Sequence, residues 1–190
     1  GLDVEHVHAR TVERVGHVGA EAVEVEVGNL SISPGLRNDP EVGEVWIEVF
    51  LVGLGDPQQL TTPRLRKLTA PLDFRYRHAV DIAPGSAEQA TLRNVLSDPN
   101  EEASDVYFEL KSVSTRGAAI DVGQAYLNLK KVLTEGRDVV KALVPVKGRK
   151  GESLGTLTVS LHALNALQEA ERSGGLVSSA ASSQPPRGGV

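Results

Sequence analysis

Short segments in which apolar and polar residues alternate recur along the chain, and this pattern constrains the fold more than any other feature. The segment Ile120 to Leu129 shows it clearly: Ala125 and Leu127 fall on one face, Tyr126 and Asn128 on the other. A side-chain period of two is that of a β-strand with two different faces. About eight such segments, separated by turn residues, predict an antiparallel β-sandwich or barrel.

The segment Glu44 to Val52 is the most apolar of these strands. Val45 and Ile47 lie on one face, and Trp46 and Phe50 lie on the other. Because both faces are apolar, we expect both to be at least half covered and the strand to be central. All seven aromatic residues (one Trp, three Tyr and three Phe) fall in predicted strands. This distribution favours a sandwich core over an exposed stacking platform.

Helical signals are few. Ser86 is a good N-cap for a run from Ala87 to Leu96, which is the one short helix expected to be inserted between strands. The run Lys130 to Gly136 predicts a single helical turn closed by glycine. Leu164 to Glu171 predicts a short closing helix, whereas Pro34 to Pro40 is typical of a loop.

Length and composition suit one domain. The 190 residues divide into a weakly ordered leader (1–20), a folded domain (21–170) and a Gly-, Ser- and Pro-rich tail (171–190) that we expect to be disordered. The chain contains no cysteine, which excludes disulfides and cysteine metal sites. A net charge of −5 argues against a general nucleic-acid binder. A start at Gly1 without any methionine indicates a fragment carrying a tag remnant.

Three motifs carry a resemblance to a known family. They are Asp121-Val-Gly-Gln-Ala-Tyr-Leu-Asn-Leu129, then Thr134-Glu-Gly-Arg-Asp-Val139, then Leu154-Gly-Thr-Leu-Thr-Val-Ser-Leu161. Together they resemble the C-terminal C2 domain of the proteins that interact with the retinitis pigmentosa GTPase regulator (RPGR). The resemblance covers about Val23 to Leu167, and its most specific part joins the Gly-Tyr-Leu strand to the Glu-Gly-Arg-Asp turn.

This resemblance implies an all-β, C2-like antiparallel β-sandwich of about eight strands. It implies a non-catalytic protein–protein interaction module in a scaffold of the ciliary transition zone. The implied partner is the β-propeller of RPGR or another transition-zone protein. The implied location is the cilium or basal body, on the cytoplasmic side.

Calcium is the first ligand to weigh, because many C2 domains bind it. Calcium takes six to eight oxygen ligands, usually several carboxylates from loops at one end of the sandwich. The loop Ser112 to Ala119 contains no carboxylate. Asp39, Glu41 and Glu44 lack the usual Asp-Pro-Tyr placement, and a second acidic group lies in another connection: Asp98, Glu101, Glu102 and Asp105. We therefore expect no cofactor and calcium-independent function.

Membrane binding is the alternative function. Arg75 and Arg77 share a strand face, and a proline-containing segment that suits a sheet edge supplies Arg64, Arg66 and Lys67. Each basic residue near an anionic surface contributes about 1 kcal/mol, so a coplanar group would bind phosphoinositides. Asp73 and Asp81 lie on the arginine face and are expected to pair with it. The sites considered for lipid are Arg75, Arg77 and Lys67.

Catalysis has no supporting motif. The segment Gly148-Arg-Lys-Gly151 lacks the spacing of a phosphate-binding loop, and no nucleophile–histidine–acid pattern stands out. His6 and His8 lie in the leader and are not expected to bind a metal. His78 and His162 are expected to be ordinary half-buried strand residues. The sequence therefore predicts no enzyme and no metal site.

Protein binding remains the favoured function. An open sandwich leaves strand edges and end loops that partners commonly use. Trp46 and Tyr126 are residue types that dominate interface energies when they are exposed. The predicted partner-binding residues are Glu44, Trp46, Arg64 and Arg66.

Overall fold

A computed structural model describes the backbone of residues 18–183 and the side chains of residues 18–174. Residues 1–17 of the predicted leader and residues 184–190 of the predicted tail lie outside the described residues. Eight antiparallel strands occupy the described chain: β1 (Ala22–Ile32), β2 (Glu44–Phe50), β3 (Leu65–Arg66), β4 (Asp73–Asp81), β5 (Asp105–Val113), β6 (Ala119–Asn128), β7 (Val139–Lys147) and β8 (Ser153–His162).

The strands follow one another in the order β3-β2-β5-β6-β7-β8-β1-β4. Between β6 and β7 the pairing is reduced to one residue pair, Gln124 with Lys147. The strands therefore divide into a first half, β3-β2-β5-β6, and a second half, β7-β8-β1-β4. Gly123 lies beside the junction, where a Cβ atom would stand 2.6 Å from the carbonyl oxygen of Lys147. Only a residue without a side chain permits this approach.

Both halves contribute to one hydrophobic cluster, so their inner faces pack against each other as a sandwich. Alternate residues of four strands are buried there, as the sequence pattern predicts: Val23, Val25 and Val27; Val45, Ile47 and Val49; Val106, Phe108 and Leu110; Leu157, Val159 and Leu161. The expected all-β antiparallel fold is confirmed.

The edge segment before β4 is correctly placed but shorter than its pattern suggests. Only Leu65–Arg66 pairs as a strand, and it lies at the end of the strand order beside β2. Upstream, the amide of Thr62 donates to the carbonyl of Ile47 at 2.9 Å. β2 is therefore next to the sheet end, with an irregular segment along part of its outer side.

The described chain contains four α-helices, three of which lie where the sequence predicts helical structure. In chain order the helices are α1 (Pro34–Arg37), α2 (Ala87–Ser97), α3 (Leu129–Glu135) and α4 (Leu164–Ser183), and α2 is the inserted helix that was expected. A 3₁₀ turn spans Glu101–Ser104. Ser86 caps α2 by accepting the amide of Gln89, as predicted. Gly136 closes α3 in the left-handed conformation, φ 68° and ψ 31°.

Two helical expectations were wrong. The segment from Pro34 was predicted as a loop, but Ser33 accepts the amide of Leu36 at 3.1 Å and Pro34 opens a short helix, α1. Proline is tolerated in a first helical turn because its missing N–H has no partner there in any case. The closing helix was expected to end near Glu171, whereas α4 spans Leu164–Ser183.

We expect Gly123→Ala to destabilise the domain by about 1–3 kcal/mol, because the added methyl group would overlap backbone where the two halves meet. Urea denaturation followed by circular dichroism measures this free energy of unfolding. Gly35→Ala is the matched control, since its Cβ atom would meet nothing closer than 3.9 Å. Equal stability of the two variants would contradict the close-approach role of Gly123.

Candidate functional site

The outward side of β2, β5 and β6, which we call the aromatic face, presents a row of three rings. Phe50 of β2 lies opposite Tyr107 of β5, which lies opposite Tyr126 of β6. Directly opposed residues in antiparallel strands point to the same side. Phe50 is 53% exposed and Tyr126 is 56% exposed, with Tyr107 half-buried between them. The two tyrosine ring centroids are 6.2 Å apart.

Charged residues occupy the rest of the same face. Glu48 lies opposite Glu109, and Glu109 lies opposite Gln124. In the next row Lys111 forms an ion pair with Asp121. This contact raises the pKa of Lys111 and lowers that of Asp121. The face thus combines exposed rings with an acidic row and an ion pair.

Trp46 lies on this outward side and is nevertheless 3% exposed. The guanidinium carbon of Arg64 stands 4.0 Å above the ring centroid, and the indole Nε1 donates to Glu48 at 2.9 Å. Trp46 is therefore covered by a neighbour from the edge segment. Of the other predicted binding residues, Glu44 lies opposite Arg66, and both are exposed. The four predicted residues are brought together on one side of the first half.

The expectation that the aromatic residues belong to the core was wrong for two of them. Phe50 and Tyr126 are exposed because, among the described residues, none covers their rings as Arg64 covers Trp46. The alternation of β2 already placed Phe50 on the face of Trp46. It gave no indication of what covers each ring, because that depends on residues distant in sequence.

A second group of basic residues surrounds a groove of about 640 Å³ on the outward side of the second half. Arg75 and Arg77 come from β4 and Lys141 from β7. Arg75 and Lys141 have left-handed backbone at φ 49° and 48°, which is unusual for such side chains. Asp73 lies 4.0 Å from Arg75, as expected of residues on that face.

The two basic segments considered for lipid do not form one coplanar group. β3 and β4 are the two terminal strands of the order and do not pair. Lys67 follows β3, and its ammonium group donates to the carbonyl oxygen of Asp39 at 2.7 Å. It therefore belongs to the surroundings of the first half, together with Arg64 and Arg66, and not to the groove.

A third group of ionisable residues lies where β8 passes into α4. His162 is 2% exposed, so the expectation of a half-buried residue was wrong. Its Nε2 lies 2.9 Å from Glu26, and its Nδ1 lies 3.5 Å from Asp138. Burial alone lowers the pKa of His162, but the two carboxylates outweigh it and hold that pKa above its ordinary value.

The carboxylates considered for calcium have other roles in the structure. Asp39 accepts the amide of Glu41 at 2.9 Å, and Asp98 accepts that of Asn100 at 2.9 Å. Asp105 is 8% exposed and accepts from Asn128 at 2.8 Å. Among the described residues, neither acidic segment gathers three ligand atoms; the group that does so is Glu24, Glu26 and His162.

No helix within the described residues is both long and apolar enough to cross a membrane. Fold and surface define the class: an antiparallel β-sandwich that presents an aromatic, charged sheet face and a separate basic groove. The sequence model of one protein family matches residues 19–172 of the chain. The chain belongs to this family, which is described as retinitis pigmentosa G-protein regulator interacting C-terminal.

Solved structures similar to the chain include two C2 domains. One is a C2 domain-containing protein from an elicitor-responsive gene, with 13% identity, a TM-score of 0.47, and coverage of 75% of this chain and 88% of that one. The other is a C2 domain of a plant extended synaptotagmin 1, with 13% identity, a TM-score of 0.42, and coverage of 76% and 94%. No curated protein matches the chain.

We expect Arg64→Ala to uncover the indole of Trp46, the only tryptophan of the chain. The fluorescence emission should shift to longer wavelength and acrylamide should quench it more strongly. Loss of the cation–π contact should cost about 0.5–1 kcal/mol of stability. Arg66→Ala, which removes an exposed arginine of the same segment, should leave the spectrum unchanged. An unchanged spectrum in Arg64→Ala would show that the guanidinium does not cover the ring.

Proposed function

We propose that the domain is a protein–protein interaction module and that its partner binds the aromatic face. The observation that carries this proposal is the exposure of Phe50 and Tyr126, at 53% and 56%, on the outward side of one set of paired strands. Aromatic side chains bury a large area at a low entropy cost, and they are frequent among the residues that dominate interface energies.

The surroundings of the rings suit a protein surface better than a small ligand. Glu48, Glu109 and the Lys111–Asp121 pair offer charges of both signs beside the aromatic row. Such a mixture favours one orientation of a partner whose charges are complementary. Arg64, Arg66 and Glu44 extend this charged rim toward the sheet edge.

The family name supplies the partner that we propose. Members are described by their interaction with the retinitis pigmentosa G-protein regulator, so we propose an RPGR-like β-propeller or another transition-zone protein. The domain would act in a scaffold of the cilium or basal body, on its cytoplasmic side, without catalysis. We also propose calcium-independent binding, because the connection between β5 and β6 contains no carboxylate.

The test measures affinity for a purified RPGR β-propeller by isothermal titration. We expect Phe50→Ala and Tyr126→Ala each to weaken binding about tenfold or more, because each removes an exposed ring from the centre of the contact. Calcium and EGTA should leave the affinity of the unmodified chain unchanged.

Leu143→Ala is the matched control for these two variants. Leu143 is 72% exposed on β7, in the other half of the sandwich, so its removal should not affect the partner. Equal affinities of all three variants would remove the aromatic face from the interface. Absence of any binding by the unmodified chain would exclude this propeller as the partner.

A second candidate function is binding of phosphoinositide membranes without calcium. The observation that favours it is the groove between Arg75, Arg77 and Lys141, whose cations converge from two strands. Three cations near an anionic surface contribute on the order of 3 kcal/mol. Asp73 beside Arg75 offsets part of this attraction.

For this candidate, the double variant Arg77→Gln/Lys141→Gln should reduce sedimentation with vesicles containing phosphatidylinositol bisphosphate about tenfold or more. Neutral phosphatidylcholine vesicles give the background. Arg66→Gln, which neutralises a basic residue on the other half, should behave like the unmodified chain. Binding that does not depend on the anionic lipid would exclude this function.

A further inference from the structure

Two glutamates and a histidine come together on the outward side of the second half, away from the aromatic face proposed to bind a protein. Glu24 and Glu26 are two residues apart on β1 and therefore share a face. His162 of β8 lies directly opposite Glu24 in the register. One ligand atom from each of the three residues lies within 4.8 Å of the other two.

A buried carboxylate, that of Asp138, stands behind the histidine ring. Asp138 accepts the backbone amides of Ala163 and Leu164 through one oxygen, at 3.0 and 2.9 Å. Its other oxygen has no hydrogen-bond partner among the described residues and stands 3.5 Å from the Nδ1 atom of His162. The side chain of Asp138 is 1% exposed. A buried carboxylate behind Nδ1 is the usual orienting contact of a metal-bound histidine, whose Nε2 then faces the metal.

We propose that Glu24, Glu26 and His162 bind a divalent transition-metal ion, of which zinc is the representative. Two carboxylate oxygens and one imidazole nitrogen form a donor set that zinc accepts, with the fourth position open to water. A hard ion such as calcium would take more oxygen ligands and no nitrogen.

The geometry is close to that of a tetrahedral site. Bonds of about 2.0–2.1 Å place neighbouring ligand atoms about 3.3 Å apart. The Nε2 atom of His162 and the Oε2 atom of Glu26 are 2.9 Å apart, so this pair needs to open by a few tenths of an ångström. Glu24 is half-buried at the rim, and its ligand atom, within 4.8 Å of the other two, has to move closer to them to complete the site.

Nearby cations oppose the metal, because Glu26 lines the same groove as Arg75, Arg77 and Lys141. Arg77 of β4 lies opposite Glu26 in the register and attracts its carboxylate. Arg77 is exposed, so its guanidinium can turn toward solvent when a cation occupies the site. Against these cations, Glu24, Glu26 and Asp138 place three carboxylates around His162, which keep the centre attractive for a divalent ion.

The test uses the full chain carrying His6→Gln, His8→Gln and His17→Gln, because the leader histidines are themselves metal-ligand types. Isothermal titration with zinc chloride should show one equivalent bound. Cobalt(II) should bind with the visible absorption of a four- or five-coordinate ion. Zinc affinity should fall at least tenfold in Glu24→Gln and about ten- to a hundredfold in Asp138→Asn, which removes only the orienting charge.

Glu109→Gln is the matched control, because it neutralises a carboxylate of the opposite half and should leave zinc affinity unchanged. Thermal melts establish that each variant is folded. If Asp138→Asn does not fold, Glu24→Gln at the rim decides the question. Absence of zinc binding, or binding equal in Glu24→Gln and Glu109→Gln, would overturn the proposal and leave the cluster as a buried ion pair.

Discussion

The close approach of two backbones at Gly123 and Lys147 is the constraint on which the sandwich depends. One residue pair joins the halves at this point, and a side chain on Gly123 would overlap the carbonyl of Lys147. The remaining cohesion comes from apolar side chains that both inner faces contribute to one core. The arrangement leaves two outward faces, and the candidate sites lie on these.

Much of the fold follows from alternation along the chain. The period of two identifies which side of β1 and β5 faces the core, because a one-residue shift would turn every buried side chain outward. Short helices are harder to predict. Ser33 and Pro34 suit the N-cap and the first turn of a helix, but the dipeptide Pro34-Gly35 is equally typical of a turn. The local sequence therefore does not decide between a helix and a turn.

The sites were less predictable than the fold, since they assemble residues that are distant in sequence. Trp46 and Tyr126 look equivalent as aromatic residues of alternating strands, yet Arg64 covers the first and nothing in the described chain covers the second. The cluster around His162 draws on β1, on the residue before β7 and on the end of β8. Neither the spacing nor the composition of any one segment contains that information.

The sandwich arrangement has a consequence for how the domain can be used. The aromatic face belongs to the first half, and the groove and the histidine cluster belong to the second, so they point away from each other across the core. A partner docked on one side does not obstruct the other. With both proposed sites occupied, the domain would bridge two ligands, and a complex that engages both would gain avidity without enlarging either contact.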